Sequence, residues 1–185
     1  MTFGGTMKLM TVRVLVCLAM FATLVSNSIA GIIKTSAEFD SSTFAKKYHI
    51  SGKGKATLLK NGKMDYGYDF SLAGNTKITE CFAMIEVMTK SQTDKNISGY
   101  GVMFHDESKP GVTPTPFTPE IKTIVSDFFS SIDSEINVNE AIAYVKANSK
   151  KKLNKIADAP AKSIGGYKMR VGTVLHELII SIDKK

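Results

Sequence analysis

Apolar positions along this chain follow three patterns: a solid block, alternation at period two, and spacing of three and four. The solid block is Val14 to Val25, twelve residues interrupted only by Thr23. Lys8 and Arg13 precede it, no acidic residue occurs in residues 1–30, and Ser28-Ile29-Ala30 closes the stretch with a small-x-small triplet. A basic start, a short greasy middle and small residues before a cut are the parts of a secretory signal peptide. A helix needs about 20 residues to cross ~30 Å of hydrocarbon, so the block predicts a cleavable leader rather than an anchor. Met7-Lys8-Leu9 offers a second start, with the charge directly before the run. Cys17 lies inside the run, but Val16 stands where a lipobox carries Gly or Ala, so Cys17 is expected to leave with the leader. Residues 1–30 are therefore read as signal peptide and 31–185 as one domain.

Alternation begins after the leader. Ile50, Ala56 and Leu58 mark one arm of a hairpin, and Tyr66, Tyr68, Phe70 and Leu72 fall at every second position of the other. Asn61-Gly62 between them suits the positive φ angles of a two-residue turn, with Lys63, Asp65 and Asp69 on the wet face. Residues 78–90 fit both periods: Cys81, Ala83, Ile85 and Val87 at two, or Ile78, Cys81, Phe82, Ile85 and Met88 on a helix. Turn residues on both sides favour a strand. Residues 97–105 alternate again through Tyr100, Val102 and Phe104, with Gly99 and Gly101 opposite.

Four of the five prolines fall in residues 110–119, which reads as a stiff extended connector. It ends at Thr118-Pro119-Glu120: a capping hydroxyl, a proline for the first helical position and an acid for the dipole. Ile121, Ile124, Val125, Phe128, Phe129 and Ile132 then give one continuous helical stripe. Asn137 with Glu140 three residues on starts a second helix, buried through Ala141, Ile142 and Val145, with Lys150, Lys151, Lys152 and Lys155 at its end. In the last segment Tyr167, Met169 and Val171 alternate, and after Gly172 the phase passes to Val174, Leu178, Ile180 and Ile182. A bulge or bend at Gly172 would realign the halves. The expected fold is α+β: a mostly antiparallel sheet of five or six strands, an N-terminal meander plus a C-terminal strand, packed against two helices.

Composition adds limits. Hydrophobic residues make up 43% and charged residues 22%, which excludes a disordered tail and a polytopic membrane protein. The formal net charge is +7, and losing Lys8 and Arg13 with the leader leaves +5. That charge is nearly all lysine, Arg170 being the one arginine after residue 30. Nucleic-acid readers lean on the planar arginine fork and on exposed aromatics, so no nucleic-acid partner is expected. The lysine run 150–155 suits contact with an anionic surface, or serves as a solvated helix end. Cys81 is the single cysteine after the leader, is expected to be buried and inert, and rules out an internal disulfide and a thiolate zinc site.

Candidate chemistry is sparse. His176-Glu177 opens like a zinc-protease helix, but Ile180 stands where the second histidine belongs. Alternation instead puts His176 on the apolar face with Val174 and Leu178, as a core histidine. Residues 51–57 carry Gly and Lys without P-loop spacing, Ser98 lacks a nucleophile-elbow glycine before it, and no calcium loop occurs. Asn96-Ile97-Ser98 is a glycosylation sequon, meaningful only in a eukaryotic secretory pathway. His105-Asp106-Glu107-Ser108 puts a base, acids and a hydroxyl at a strand end, where hydrolysis or merely a solvated exit could sit. No catalytic residue, metal or cofactor is assigned. The features together favour an exported, periplasmic or secreted, non-catalytic accessory or binding protein. The first alternative is a carrier of a small apolar ligand lined by Phe70, Phe82, Phe104 and Ile180. The second is a hydrolase using His105.

Overall fold

The computed structural model describes residues 33, 35–50, 54–59, 62–70, 80–87, 97–105 and 115–185, all within the compact unit 32–185; of 80–87 it describes the backbone. The leader, the first half of the proline connector and the polar residues after His105 lie outside the described residues.

Two short helices come first, α1 (Ser36–Asp40) and α2 (Thr43–Lys47). Neither shows an apolar period in a five-residue span, but both carry a hydroxyl cap. Thr35 accepts from Glu38 N–H and Ser42 from Ala45 N–H, each at 3.0 Å. They place Phe39 and Phe44 over the sheet, with ring centroids 4.3 Å from Tyr68 and 5.8 Å from Phe70.

The sheet follows: β1 (Lys55–Leu58), β2 (Met64–Phe70), β3 (Glu80–Val87) and β4 (Ile97–His105) form the meander. Then come α3 (Pro119–Ile132), α4 (Val138–Asn148), β5 (Lys152–Leu153), a 3₁₀ turn (Ile156–Asp158), β6 (Lys162–Ile164), β7 (Tyr167–Val174) and β8 (Glu177–Lys184). Strand order is β1-β2-β3-β4-β8-β7-β5, with β6 also on β7, and every pairing is antiparallel except β5 with β7. The fold is α+β with a mostly antiparallel sheet, as the patterning predicts, and residues 80–87 are the expected strand. The five long strands are β2, β3, β4, β7 and β8; three short edge pieces bring the total to eight.

One layer of core joins sheet and helices. Tyr66, Tyr68 and Phe70 of β2, Tyr100, Val102 and Phe104 of β4, Leu178, Ile180 and Ile182 of β8 and Met169 and Val171 of β7 belong to it. All six stripe residues of α3 join them, each at most 2% exposed, so the helical stripe does shield the pleated layer. The caps read from sequence are formed: Thr118 accepts from Ile121 N–H at 3.3 Å and Asn137 from Glu140 N–H at 3.1 Å. Ile33 closes the core beside α3, its N–H on Ser131 O at 3.2 Å and its carbonyl accepting from Tyr100 OH at 2.9 Å.

Three local expectations are corrected. The C-terminal segment is two strands, because β7 runs straight through Gly172 and the phase changes at the turn Leu175-His176. Tyr167, Met169, Val171 and Thr173 face the core from odd positions, and pairs such as Val171 with Ile180 hand that face to even positions on β8. The first hairpin closes over three positions, 60–62. Leu59 N–H bonds Lys63 O at 2.8 Å, and Gly62, at φ +83°, donates to Leu59 O at 3.0 Å. Its β1 arm is exposed at all four positions, so Ala56 and Leu58 do not extend the core. Finally, Lys150–Lys155 lie beyond α4, which ends at Asn148.

Candidate functional site

Of the four residues read from sequence as a ligand lining, three are described with their side chains. Phe70, Phe104 and Ile180 are 7%, 0% and 0% exposed and sit in the single core layer with α3, which accounts for their burial. Phe82 occupies the alternate register row, opposite Asp69 and Met103, while Phe70 and Phe104 both pair with Cys81. The side chains of Phe82 and Cys81 lie outside the described residues.

His105 ends β4, where its Nδ1 is buried and meets no hydrogen-bond partner among the described residues. Its proposed companions Asp106, Glu107 and Ser108 lie outside those residues. Among the described residues no group of three or more His, Cys, Asp and Glu could hold a metal ion. His176 is not a core histidine. It occupies the second turn position of the β7–β8 hairpin at φ +81°, half-buried, after Leu175 at φ +49°.

That turn is the most unusual place in the described chain. Two consecutive positive φ angles between paired strands are the signature of a type I′ turn, which normally takes Asn-Gly. An L-residue in the left-handed region costs about 1–2 kcal/mol; histidine is tolerated there more often than leucine. Nevertheless the first position carries Leu175, whose side chain is 82% exposed, against 54% for Leu58, the other exposed large hydrophobic described. A leucine that gains no burial and sits in an adverse backbone well is not explained by stability.

The turn is held from behind. Thr115, itself buried, donates both its N–H and its hydroxyl to His176 O, each at 2.9 Å. This ties the end of the proline connector to the hairpin tip. On the other side the lysine segment is stitched to β7 immediately below the tip: Thr173 N–H bonds Lys151 O and Thr173 Oγ1 donates to Ser149 O, both at 2.8 Å. The parallel register continues with Lys152 opposite Thr173 and Leu153 opposite Val174, so residues after Leu153 start out alongside the turn. Gly172 permits this approach, since a Cβ there would come within 2.3 Å of Leu153 Cδ1 and 3.2 Å of Lys151 O. Lys150, Lys151, Lys152 and Lys155 are all exposed. Lys155 reaches Asp158 at 3.7 Å, an exposed pair worth little by itself. The lysines follow α4, and the register sets Lys152 beside Thr173, two residues short of the protruding leucine.

Sequence reasoning found the lysines and missed the tip. The signal was present as the two-residue gap between runs of opposite phase, but Leu-His carries no turn chemistry to announce it. The tyrosines with strongly shifted titration belong to the core. Burial raises Tyr100, Tyr167 and Tyr68 above the usual phenol range. Asp133 adds to the rise at Tyr100 and, by accepting from the phenol at 2.7 Å, at Tyr167; Asp40 adds to it at Tyr68. Comparison with protein-family models, curated proteins and solved structures finds no match.

Proposed function

We propose that this chain is exported and works outside the cytoplasm as a non-catalytic accessory or binding protein, engaging its target through the Leu175 hairpin tip and the lysines beside it. The observation that carries the reading is the exposed leucine kept in a disfavoured backbone well and braced by Thr115. Outlying backbone geometry that surrounding structure over-determines clusters at working sites. Export is supported by the leader pattern of residues 1–30 and by Ile33, three residues past Ala30, which is already 2% exposed and sealed into the core. Among the described residues, no helix is long and apolar enough to cross a membrane.

Expression of the full chain with fractionation and intact-mass measurement tests the reading. The expected product lies outside the cytoplasm and begins at Gly31. Full-length protein confined to the cytosol would overturn it.

A further inference from the structure

Resting on that reading, we infer that the surface met by the tip is an anionic phospholipid bilayer, with Leu175 seated at the headgroup boundary and Lys150, Lys151, Lys152 and Lys155 over the headgroups. Stable peripheral attachment takes two signals together, an inserted apolar group and a basic patch. Both occur here on one end of one sheet, and the backbone links them: Thr115 to His176 on one side, Thr173 to Ser149 and Lys151 on the other. These bonds hold the backbone on both sides of Leu175, at Thr173 and at His176.

Charge complementarity selects the occupant. Among the described residues at this end of the sheet, four exposed lysines stand against three carboxylates, Asp158 beside Lys155, Glu177 at the start of β8 and Glu80 at the start of β3, two strands beyond Glu177. Lysine's compact, flexible ammonium suits a fluid layer of phosphates, whereas matching a partner's fixed carboxylates is the work of arginine, and the one arginine described, Arg170, is occupied by Asp183. A protein pocket for Leu175 would have no use for the lysine excess. An anionic bilayer rewards it, at about fivefold in partitioning per well-placed lysine.

Flotation of the purified protein, in the form the cell yields, with vesicles of phosphatidylcholine alone or with one part in three phosphatidylglycerol decides the matter. Binding is expected only with the anionic lipid, and is expected to fall steeply as NaCl is raised. Leu175→Asn is the informative variant, because asparagine suits the left-handed turn better than leucine: the fold should melt no lower while binding drops about tenfold. Replacing the four lysines by glutamine should lower binding at least a hundredfold. Equal binding to neutral vesicles, wild-type binding by Leu175→Asn at unchanged stability, or no binding by the parent protein would each overturn the inference. If the processed chain is nevertheless recovered outside the cytoplasm, the lipid assignment alone has failed, and the accessory-protein reading stands.

Discussion

The two hairpins that bracket the sheet solve one problem with opposite materials. At the β1–β2 end the chain reverses through Gly62, whose φ of +83° costs glycine nothing and whose missing Cβ would meet no atom within 4 Å. The strand that leads into it, β1, is exposed along its whole length. At the β7–β8 end the reversal uses Leu175 and His176, residues that resist the same geometry, yet the strands it joins are among the most deeply buried. The first turn is favoured locally and joins an exposed arm to a core strand. The second is disfavoured locally and is imposed by the packing of Thr173, Leu178 and Ile180 and by Thr115. Where local preference and tertiary demand disagree, the residue retained against preference points to use rather than to stability.

Core substitutions should separate the ends most widely. Leu178→Ala, the first core position after the second turn, should cost about 2–5 kcal/mol in urea unfolding, whereas Leu58→Ala should stay within about 0.5 kcal/mol. Comparable losses would show that the β1 arm carries core weight its exposure denies. Alkaline titration comes next in size. Tyr68, Tyr100 and Tyr167 have folded-state pKa values raised above those of the unfolded chain, so their contribution is complete below about pH 10 and is lost as pH rises beyond it. Each should remove about 1.4 kcal/mol per pH unit above 10, until its folded-state pKa is reached. Tyr68→Phe should flatten the slope through the β2 side and Tyr167→Phe through the β7 side, as read by unfolding at pH 9 and pH 11. An unchanged slope in both would remove the buried-phenol account.

Smaller effects test the turns themselves. Thr115→Val keeps the N–H bond to His176 O and deletes the hydroxyl bond, for a loss of about 1 kcal/mol in thermal unfolding. Exchanging turn chemistry should have opposite signs at the two ends: Gly62→Ala should destabilise by about 1 kcal/mol, and Leu175→Asn with His176→Gly should stabilise by a similar amount. A loss at both would mean that Leu175 is held by contacts its exposure conceals.

Much of the fold was readable from letters because its periods are clean. The α3 stripe, the caps Thr118 and Asn137 and the alternation of β2 and β4 each declare their structure in a few residues. Most of what escaped reading shares one cause, that the deciding contact lies far away in sequence. α1 and α2 are too short to show a period and are held by Phe39 and Phe44 against the sheet. The short strands β5 and β6 exist because β7 offers them an edge. The break after Val174 lacks Gly, Asn and Pro, so the phase change was visible while its place was assigned to Gly172, the nearest residue with turn chemistry. The lysine run was legible as charge, but its position beside the tip depends on the parallel β5–β7 register.

The pairing of odd positions on β7 with even positions on β8 is carried by the whole ladder from Val174 with Glu177 to Tyr167 with Lys184, so it does not depend on the length of the tip. A residue added between Leu175 and His176 lengthens the loop, as the span between Leu59 and Lys63 does at the first hairpin, and leaves Leu178, Ile180 and Ile182 facing the core; the same residue added inside β8 would turn those beyond it outward unless a bulge absorbed the slip. Libraries that vary the protruding loop can therefore vary its length as well as its letters.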